Sequence, residues 1–242
     1  MCTVTWLRRN HNEYSVFFNR DEHRTRAPAH PPREQNRGGV RFVAPIDGDA
    51  GGTWLAANEH GLTLGLLNYY EAEHSWRAQH PMSRGILLMS LIDETEIDEI
   101  TRRLRDMRPE SYHPFILVAF DARVTRAHRW DGRHISIRDL AEDDLPLTTS
   151  SFDTDAVVAR RSALFHRLRE TKHGLSAQTL QDFHDSHDTH GAPYSVCMSR
   201  EDAQTVSFSR VTVTPTQVEF FYQPRDRGHP AGPPSTAVLR RT

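Results

Sequence analysis

The chain has 242 residues, of which 37% are apolar, so it can bury a full hydrophobic core, and its length fits one large domain. Thirty basic and thirty-two acidic side chains give a formal charge of -2, which favours neither nucleic acids nor anionic membranes as partners. The first residues contain no apolar signal region, and no run of about 18 apolar residues could span a membrane. We therefore expect a cytoplasmic protein without integral membrane association.

Strand patterns dominate the first part of the chain. Alternating polarity in residues 2–9 and 14–19 predicts a β-hairpin that begins at the chain end. Residues 24–39 have no apolar period and predict a long surface loop. Further strands are predicted at residues 40–45, 53–57 and 62–68, the last two forming a second hairpin.

The rest of the chain shows strands and helices in separate blocks. Apolar residues at helical spacing predict helices over residues 83–94, 97–107, 153–172 and 176–184. Strand patterns occur at residues 115–120, 125–130, 134–137, 195–198, 205–214 and 217–222. This segregation favours an α+β fold in which antiparallel sheets are covered by helix pairs, as in a four-layer αββα sandwich. We assign residues 1–225 to a single domain and residues 226–242 to a flexible C-terminal tail.

Cys2 has the most distinctive chemistry of any residue in the chain. A small second residue favours removal of Met1, which would leave an α-amine and a thiol on the same residue. These groups ordinarily titrate near about pH 8 and about pH 8.5, so the amine can take the thiol proton near neutrality. A cysteine at position 2 is also common in proteins that make no chemical use of it.

The tetrapeptide Asn19, Arg20, Asp21 and Glu22 ends the second strand of the first hairpin. If register and twist bring that end beside Cys2, the Asp21 carboxylate can orient the amine, and Arg20 can lower the pKa of the thiol. The alternative interpretation is a solvated charged turn.

A third motif surrounds Trp54. Gly51 and Gly52 precede it and indicate a close backbone approach, and Asn68 ends the next predicted strand. An amide at such a position can stabilise an oxyanion. An ordinary β-hairpin would explain the same pattern.

Together, Cys2, the Asn19-Arg20-Asp21-Glu22 tetrapeptide and the glycine–tryptophan motif ahead of Asn68 resemble the NRDE family, also called the Transport and Golgi organisation 2 family. The family is similar to the N-terminal-nucleophile (Ntn) hydrolases, so the resemblance implies their αββα sandwich. It also implies cleavage or transfer of an acyl group from a small-molecule non-peptide amide or ester.

The resemblance also implies roles for individual residues. Cys2 would be the nucleophile, Asp21 the carboxylate that orients the amine, and Asn68 an oxyanion-hole or substrate-contact residue. Arg20 is a candidate site residue, although it stands at a different spacing from the aspartate than the arginine of bile salt hydrolases.

The second half of the chain departs from the family pattern. Residues 147–151 read Leu-Thr-Thr-Ser-Ser where the family has Leu-Ser-Asn before a helix, so Thr149 or Ser150 would have to replace the second oxyanion donor. The substrate pocket is expected to include Asn19, Trp54 and Tyr69.

The histidines at 184, 187 and 190 recur at a spacing that places them on a drifting common face of a helix. His184, His187 and His190 are therefore weak candidates for a zinc or haem site, and a solvated helix end is the alternative. No other feature of the sequence predicts a cofactor.

Two functions remain open at this point. One is an amidohydrolase or acyltransferase that uses Cys2. The other is a binding or trafficking protein for a hydrophobic ligand such as haem or an acyl lipid, with which members of the family have been connected. An enzyme needs Cys2, whereas a carrier should tolerate its replacement by alanine.

Overall fold

The computed structural model describes residues 2–73, 81–107, 109–187 and 192–242. Its strands in chain order are β1 (Cys2–Asn10), β2 (Glu13–His23), β3 (His30–Arg37), β4 (Val40–Ile46), β5 (Leu55–Asn58), β6 (Thr63–Asn68), β7 (Phe115–Phe120), β8 (Thr125–Trp130), β9 (Ile135–Asp139), β10 (Leu147–Thr149), β11 (Ala203–Val213), β12 (Gln217–Asp226), β13 (His229–Pro230) and β14 (Ser235–Arg240). Its α-helices are α1 (Tyr70–Glu73), α2 (Arg84–Leu91), α3 (Ile97–Asp106), α4 (Thr154–Thr171) and α5 (Ala177–His184).

Two antiparallel sheets of seven strands each form the centre of the molecule. The first sheet has the order β10-β1-β2-β11-β12, and both β13 and β14 pair with β12. The second sheet runs from β3 to β9 in sequence order. Each hairpin predicted in the first part of the chain is therefore present.

The sheets face each other, and helices cover their outer faces. Between the sheets, the Trp6 and Phe120 rings have centroids 5.8 Å apart, and the Tyr14 hydroxyl lies 2.8 Å from the Gly61 carbonyl oxygen. Apolar side chains of α2 and α3 form one core cluster with the outer face of the second sheet, and α5 lies against the first sheet. The predicted αββα order is confirmed.

Successive side chains of β2 point to opposite faces of the first sheet, and this decides which of them contact the second sheet. Phe18 lies beside Gly65 of the second sheet, and Arg20 forms an ion pair with Asp47. The neighbouring residues Asn19 and Asp21 point the other way, towards α5 and α4. The tetrapeptide that follows Phe18 is thus divided between the two faces of the sheet.

The prediction of a loop over residues 24–39 is wrong, because β3 occupies part of this segment and pairs with β4. Most of the side chains of β3 are exposed, so the strand shows no apolar alternation. As the first strand of the second sheet it can carry Pro31 and Pro32, which lie where the register with β4 shifts.

Two predictions near the C-terminus are also wrong. Residues 195–198 are not a strand, since the Cys197 N–H donates to the Ser186 carbonyl oxygen and the Met198 N–H to the Thr205 hydroxyl. The expected flexible tail contains β14, which pairs with β12 along its length and buries Leu239 completely. Helix α1 and the short strand β10 were not predicted.

Within the described ranges, every helix is too short or too polar to cross a bilayer.

Two buried histidines make the stability of this fold depend on pH. Burial lowers the pKa of His128 to about 4, and His128 Nε2 lies 2.8 Å from the Thr101 hydroxyl. Burial, assisted by the charges of Arg225 and Arg161, lowers the pKa of His184 well below its usual value. Both side chains are therefore neutral in the folded protein near pH 6.

Because the unfolded chain binds protons on these histidines below about pH 6.5, we expect the free energy of unfolding to fall by about 2 kcal/mol between pH 6.5 and 5.5. Urea denaturation at the two pH values measures this difference. In His128→Gln the fall should be roughly halved, whereas His134→Gln, which changes an exposed histidine, should leave it unchanged. An equal fall in His128→Gln and wild type would contradict the assignment.

Candidate active site

A cavity of about 530 Å3 opens beside the start of β1 and the end of β2. Its lining residues come from both sheets, α1 and the start of α2, and they include Cys2, Arg20, Asp21, Glu22, Asp47, Thr53, Trp54, Leu66, Asn68, Tyr70, Met82, Ser83, Arg84, Gly85 and His113. The cavity thus brings together the residues of three motifs that lie far apart in the sequence.

Cys2 is held between two neighbouring strands, opposite Arg20 of β2 and Thr149 of β10. Only 7% of the residue is exposed, and burial raises the pKa of its thiol. A hydrogen bond from the Asp21 backbone N–H and the positive charge of Arg20 act in the opposite direction. The thiol therefore needs a base within reach before it can act as a nucleophile at neutral pH.

Arg20 is fixed beside Cys2 by contacts on several sides. Its guanidinium lies 4.0 Å from the centre of the Trp54 ring, donates to Glu22 at 3.3 Å and forms a short ion pair with Asp47. Arg26 binds the same Asp47 carboxylate through two hydrogen bonds of 2.9 and 2.8 Å. Arg20 is therefore a rigid and largely neutralised wall of the cavity.

Asp47 is the centre of this charged network. Burial alone would raise the pKa of its carboxyl, but hydrogen bonds from Arg26 and the Ala50 backbone N–H, with the charge of Arg20, lower the pKa well below its usual value. The carboxylate therefore stays ionised throughout the neutral range, and it holds both arginines in place.

Asp21 lies at the junction between the cavity and the helix layer. Its Oδ1 accepts a 2.6 Å hydrogen bond from the Thr205 hydroxyl, at a point where the β2–β11 register shifts. Its Oδ2 accepts no hydrogen bond from any described residue, and the nearest cation is Arg161, whose Nη2 lies 3.7 Å away. A buried carboxylate oxygen of this kind can accept one more donor.

Asn68 and Tyr70 place polar side chains on the cavity wall formed by the second sheet. The Asn68 amide donates to the Tyr70 hydroxyl at 2.7 Å. Burial raises the pKa of the Tyr70 phenol, so the hydroxyl keeps its proton at neutral pH. Both groups can donate hydrogen bonds to an oxygen in the cavity.

Four of the predicted site residues do not line the cavity. Asn19 is buried beneath the sheet, where its amide donates to the carbonyl oxygens of His184 and Val196. Tyr69 packs against the core between the sheets, and the adjacent Tyr70 lines the cavity instead.

The predicted replacements for the second oxyanion donor also lie outside the cavity lining. Thr149 pairs with Cys2 in the sheet and is buried, but it is not among the residues that line the cavity. The Ser150 hydroxyl lies 2.5 Å from the Phe152 carbonyl oxygen and accepts from the Phe152 N–H. Tyr70, in contrast, does line the cavity.

The histidine tract does not form a ligand cluster in the part of the chain that the structure describes. His184 is fully buried, and its Nε2 lies 2.9 Å from the Thr5 hydroxyl. The ring of His187 lies 5.9 Å from that of His229, and His190 falls outside the described residues. Among the described side chains, no three His, Cys, Asp or Glu residues are grouped as metal ligands. Zinc or haem binding by this tract stays an untested prediction.

Gly52 and Gly85 bring α2 into contact with the segment that precedes β5. A Cβ atom on Gly52 would lie 2.4 Å from the Gly85 carbonyl carbon, and the Thr53 N–H donates to the Gly85 carbonyl oxygen at 3.2 Å. Because residues 82–85 line the cavity, this backbone contact sets its width.

We expect Gly52→Ala to push α2 outwards and to lower the free energy of unfolding by about 1–3 kcal/mol, as overpacked sites do. Urea denaturation measures the loss. Gly65→Ala is the matched control, since a Cβ there would meet its neighbours at 3.5 Å or more. A loss in Gly52→Ala no larger than in Gly65→Ala would show that α2 can move freely.

Arg161 and Thr205 were not identified from the sequence. A signal for Arg161 was present, because α4 buries Val157, Arg161 and Phe165, which follow one another at helical spacing. A charged residue in the middle of such an apolar stripe indicates a buried ion pair. For Thr205 the sequence carries no comparable signal.

Comparisons with known proteins agree with this architecture. The model of the family described as Transport and Golgi organisation 2 matches residues 1–214. Two variants of conjugated bile acid hydrolase from Clostridium perfringens have a TM-score of 0.58 and 11% sequence identity, and the match covers 99% of this chain and 92% of the hydrolase.

A Caenorhabditis elegans ortholog of N-acylethanolamine-hydrolyzing acid amidase has a TM-score of 0.49 and 10% identity, with 87% of this chain and 92% of the amidase covered. No curated protein sequence matches the chain. The likeness to the bile acid hydrolase variants shows that the two sheets and their helix layers have the Ntn-hydrolase fold, as predicted.

Proposed function

The chain belongs to the Transport and Golgi organisation 2 family, and on this premise we propose that it is an N-terminal cysteine hydrolase of small-molecule amides or esters. Cys2, freed by removal of Met1, would be the nucleophile. The acyl group would pass to water or to an acceptor amine.

The observation that carries the proposal is the arrangement of Cys2 and Asp21. Cys2 and Asp21 line the same cavity, and Cys2 pairs across the sheet with Arg20, the residue next to Asp21. The Asp21 Oδ2 atom has no hydrogen-bond donor among the described residues. An α-amine at residue 2 would supply a donor to this oxygen and a base for the thiol.

The reaction then follows from the groups on the cavity wall. The α-amine takes the thiol proton, and the sulfur attacks the substrate carbonyl carbon to give a tetrahedral oxyanion. The resulting ammonium returns the proton to the leaving nitrogen or oxygen as the carbon–heteroatom bond breaks. Water, deprotonated by the same amine, attacks the thioester, releases the acid and restores the thiol; an acceptor amine in place of water gives acyl transfer.

The Asn68 amide and the Tyr70 hydroxyl would stabilise the oxyanion. Loss of one oxyanion donor typically lowers kcat by about 100- to 1000-fold, so we expect that effect for Asn68→Ala. For Tyr70→Phe, which keeps the ring and removes the hydroxyl, we expect a smaller loss because Asn68 remains. Steady-state kinetics of the two variants measures both effects, and unchanged kcat in Asn68→Ala would exclude it as a donor.

Intact-mass spectrometry with short pulses of iodoacetamide across a pH series tests the nucleophile directly. We expect the purified protein to lack Met1 and Cys2 to be alkylated near neutral pH, much faster than Cys197. Cys2→Ala should lose this fast phase, and Cys197→Ala should keep it.

Retained Met1, or a Cys2 that reacts no faster than a thiol of the unfolded chain, would contradict the enzyme proposal. The alternative, a carrier of a hydrophobic ligand, would then account for the cavity. A carrier is expected to bind its ligand equally well after Cys2→Ala.

A further inference from the structure

Arg161 is a buried cation on the side of the first sheet that faces α4. None of its side chain is exposed, and its Nη1 donates to the hydroxyls of Thr3 at 2.7 Å and Thr148 at 3.1 Å. These threonines lie opposite each other on β1 and β10, next to the Cys2–Thr149 pair. The guanidinium is therefore fixed directly beneath the start of β1.

The remaining end of the guanidinium faces the carboxylate that the proposed mechanism needs. Arg161 Nη2 lies 3.7 Å from Asp21 Oδ2, and neither atom forms a hydrogen bond with a described residue. Burial lowers the pKa of Arg161, whereas the negative charges of Asp21 and of a Cys2 thiolate raise it. Arg161 and Asp21 thus form an ion pair without a direct hydrogen bond, and Nη2 of Arg161 and Oδ2 of Asp21 can each form a further hydrogen bond.

An amine next to Asp21 alone would be a poor base. A carboxylate at hydrogen-bonding distance favours the ammonium form, and an ammonium group has no lone pair with which to accept the thiol proton. A second positive charge close to the amine acts in the opposite direction. Arg161 is the cation nearest to Asp21 Oδ2 for which the structure shows contacts on this face.

We propose that Arg161 is a positioning residue that shares the Asp21 carboxylate with the α-amine of mature Cys2 and thereby favours the neutral amine. The inference rests on the proposed function. In the step concerned, the S–H bond breaks, its proton forms a new N–H bond on the amine, and a thiolate and an ammonium result without any redox change.

Other charged or titratable groups face this position from the surrounding elements. They are Cys2 on β1, Arg20 and Asp21 on β2, His184 on α5, Cys197 in the loop before β11 and Arg225 on β12. His184 is neutral near pH 7, and Arg225 is paired with Asp185. Arg161 does not line the cavity, so its charge can be removed without replacing a residue of the cavity wall.

The test titrates the amine in the absence of the thiol. Cys2→Ala keeps a small second residue, so it exposes an α-amine once Met1 is removed, with methionine aminopeptidase where needed. The rate of acetylation of that amine by acetic anhydride is followed by mass spectrometry across a pH series. The same measurement is made in the Cys2→Ala background with Arg161→Gln, Arg161→Met and Arg161→Lys.

Removal of the charge is expected to raise the midpoint of the acetylation profile by about one pH unit, which corresponds to about tenfold slower acetylation at pH 7. Arg161→Lys, which keeps the charge, should remain near the parent value. Arg160→Gln is the matched control, because the neighbouring Arg160 is exposed and stacks on Tyr194.

Arg161→Gln could fail to fold, and circular dichroism would show this. Arg161→Met is therefore included as a second variant without the charge, because its apolar side chain fills the same space. An unshifted midpoint in a folded charge-free variant would overturn the role of Arg161 and leave Cys2 as a nucleophile. Slow alkylation of Cys2 in the iodoacetamide experiment would overturn the proposed function. The pKa of the amine could still be measured in that case, so the two failures are distinguishable.

Discussion

Cys2→Ala is expected to lower kcat by about 10,000-fold or more on any acyl p-nitroanilide that the wild-type protein hydrolyses, since loss of the nucleophile leaves only oxyanion stabilisation and binding. The substitution removes one sulfur atom from a buried position, so the fold should be retained. Release of p-nitroaniline measures the rate, and thermal unfolding followed by circular dichroism verifies the structure.

Cys197→Ala is the matched control for this result. Cys197 is also buried, but it lies beside Arg225, with Arg225 Nη1 3.1 Å from its sulfur, and it does not line the cavity. We expect this variant to keep wild-type turnover. Equal turnover in Cys2→Ala and wild type would show that the thiol does not attack the substrate.

Asp21→Asn is expected to cause the largest loss of stability, about 3–5 kcal/mol, because it leaves the Arg161 cation buried without its counter-charge. The side chains of Asp21 and Arg161 are only 1% and 0% exposed, so water cannot replace the lost partner. Urea denaturation measures the loss. The variant should also lose the fast alkylation of Cys2, since the amide cannot orient the amine as the carboxylate does.

A double-mutant cycle separates this ion pair from other effects of the substitution. Asp21→Asn combined with Arg161→Gln replaces two buried charges by two neutral amides, so we expect it to be less destabilised than the sum of the single variants. Additive losses would show that the two side chains do not interact across the 3.7 Å gap.

Much of the candidate site was predictable because its signals are local. Cys2, the tetrapeptide beginning at Asn19 and the end of β6 at Asn68 each stand at the end of a strand with a clear period. A hairpin of short range then brings the end of β2 to Cys2, as the observed Cys2–Arg20 pairing shows. The division of neighbouring residues between two faces follows from the same alternation.

The sequence was a poor guide where pairing depends on the backbone rather than on side chains. Strands β3 and β14 consist largely of exposed residues, and their hydrogen bonds to β4 and β12 need no apolar pattern. The strand prediction for residues 195–198 is wrong for the opposite reason. The segment is apolar and buried, but its N–H groups donate to a side chain and a loop carbonyl instead of to a strand.

The sequence by itself determined the class of fold and singled out Cys2 and Asp21 as candidate site residues, because chain order and side-chain period carry that information over short distances. Only the tertiary structure decided that Arg161 of α4 faces Asp21, that Thr205 binds its other oxygen, and that Tyr70 rather than Thr149 reaches the cavity. The two contacts of Asp21 join residues more than a hundred positions apart, and all three placements depend on how helices and sheets pack, which no local pattern encodes.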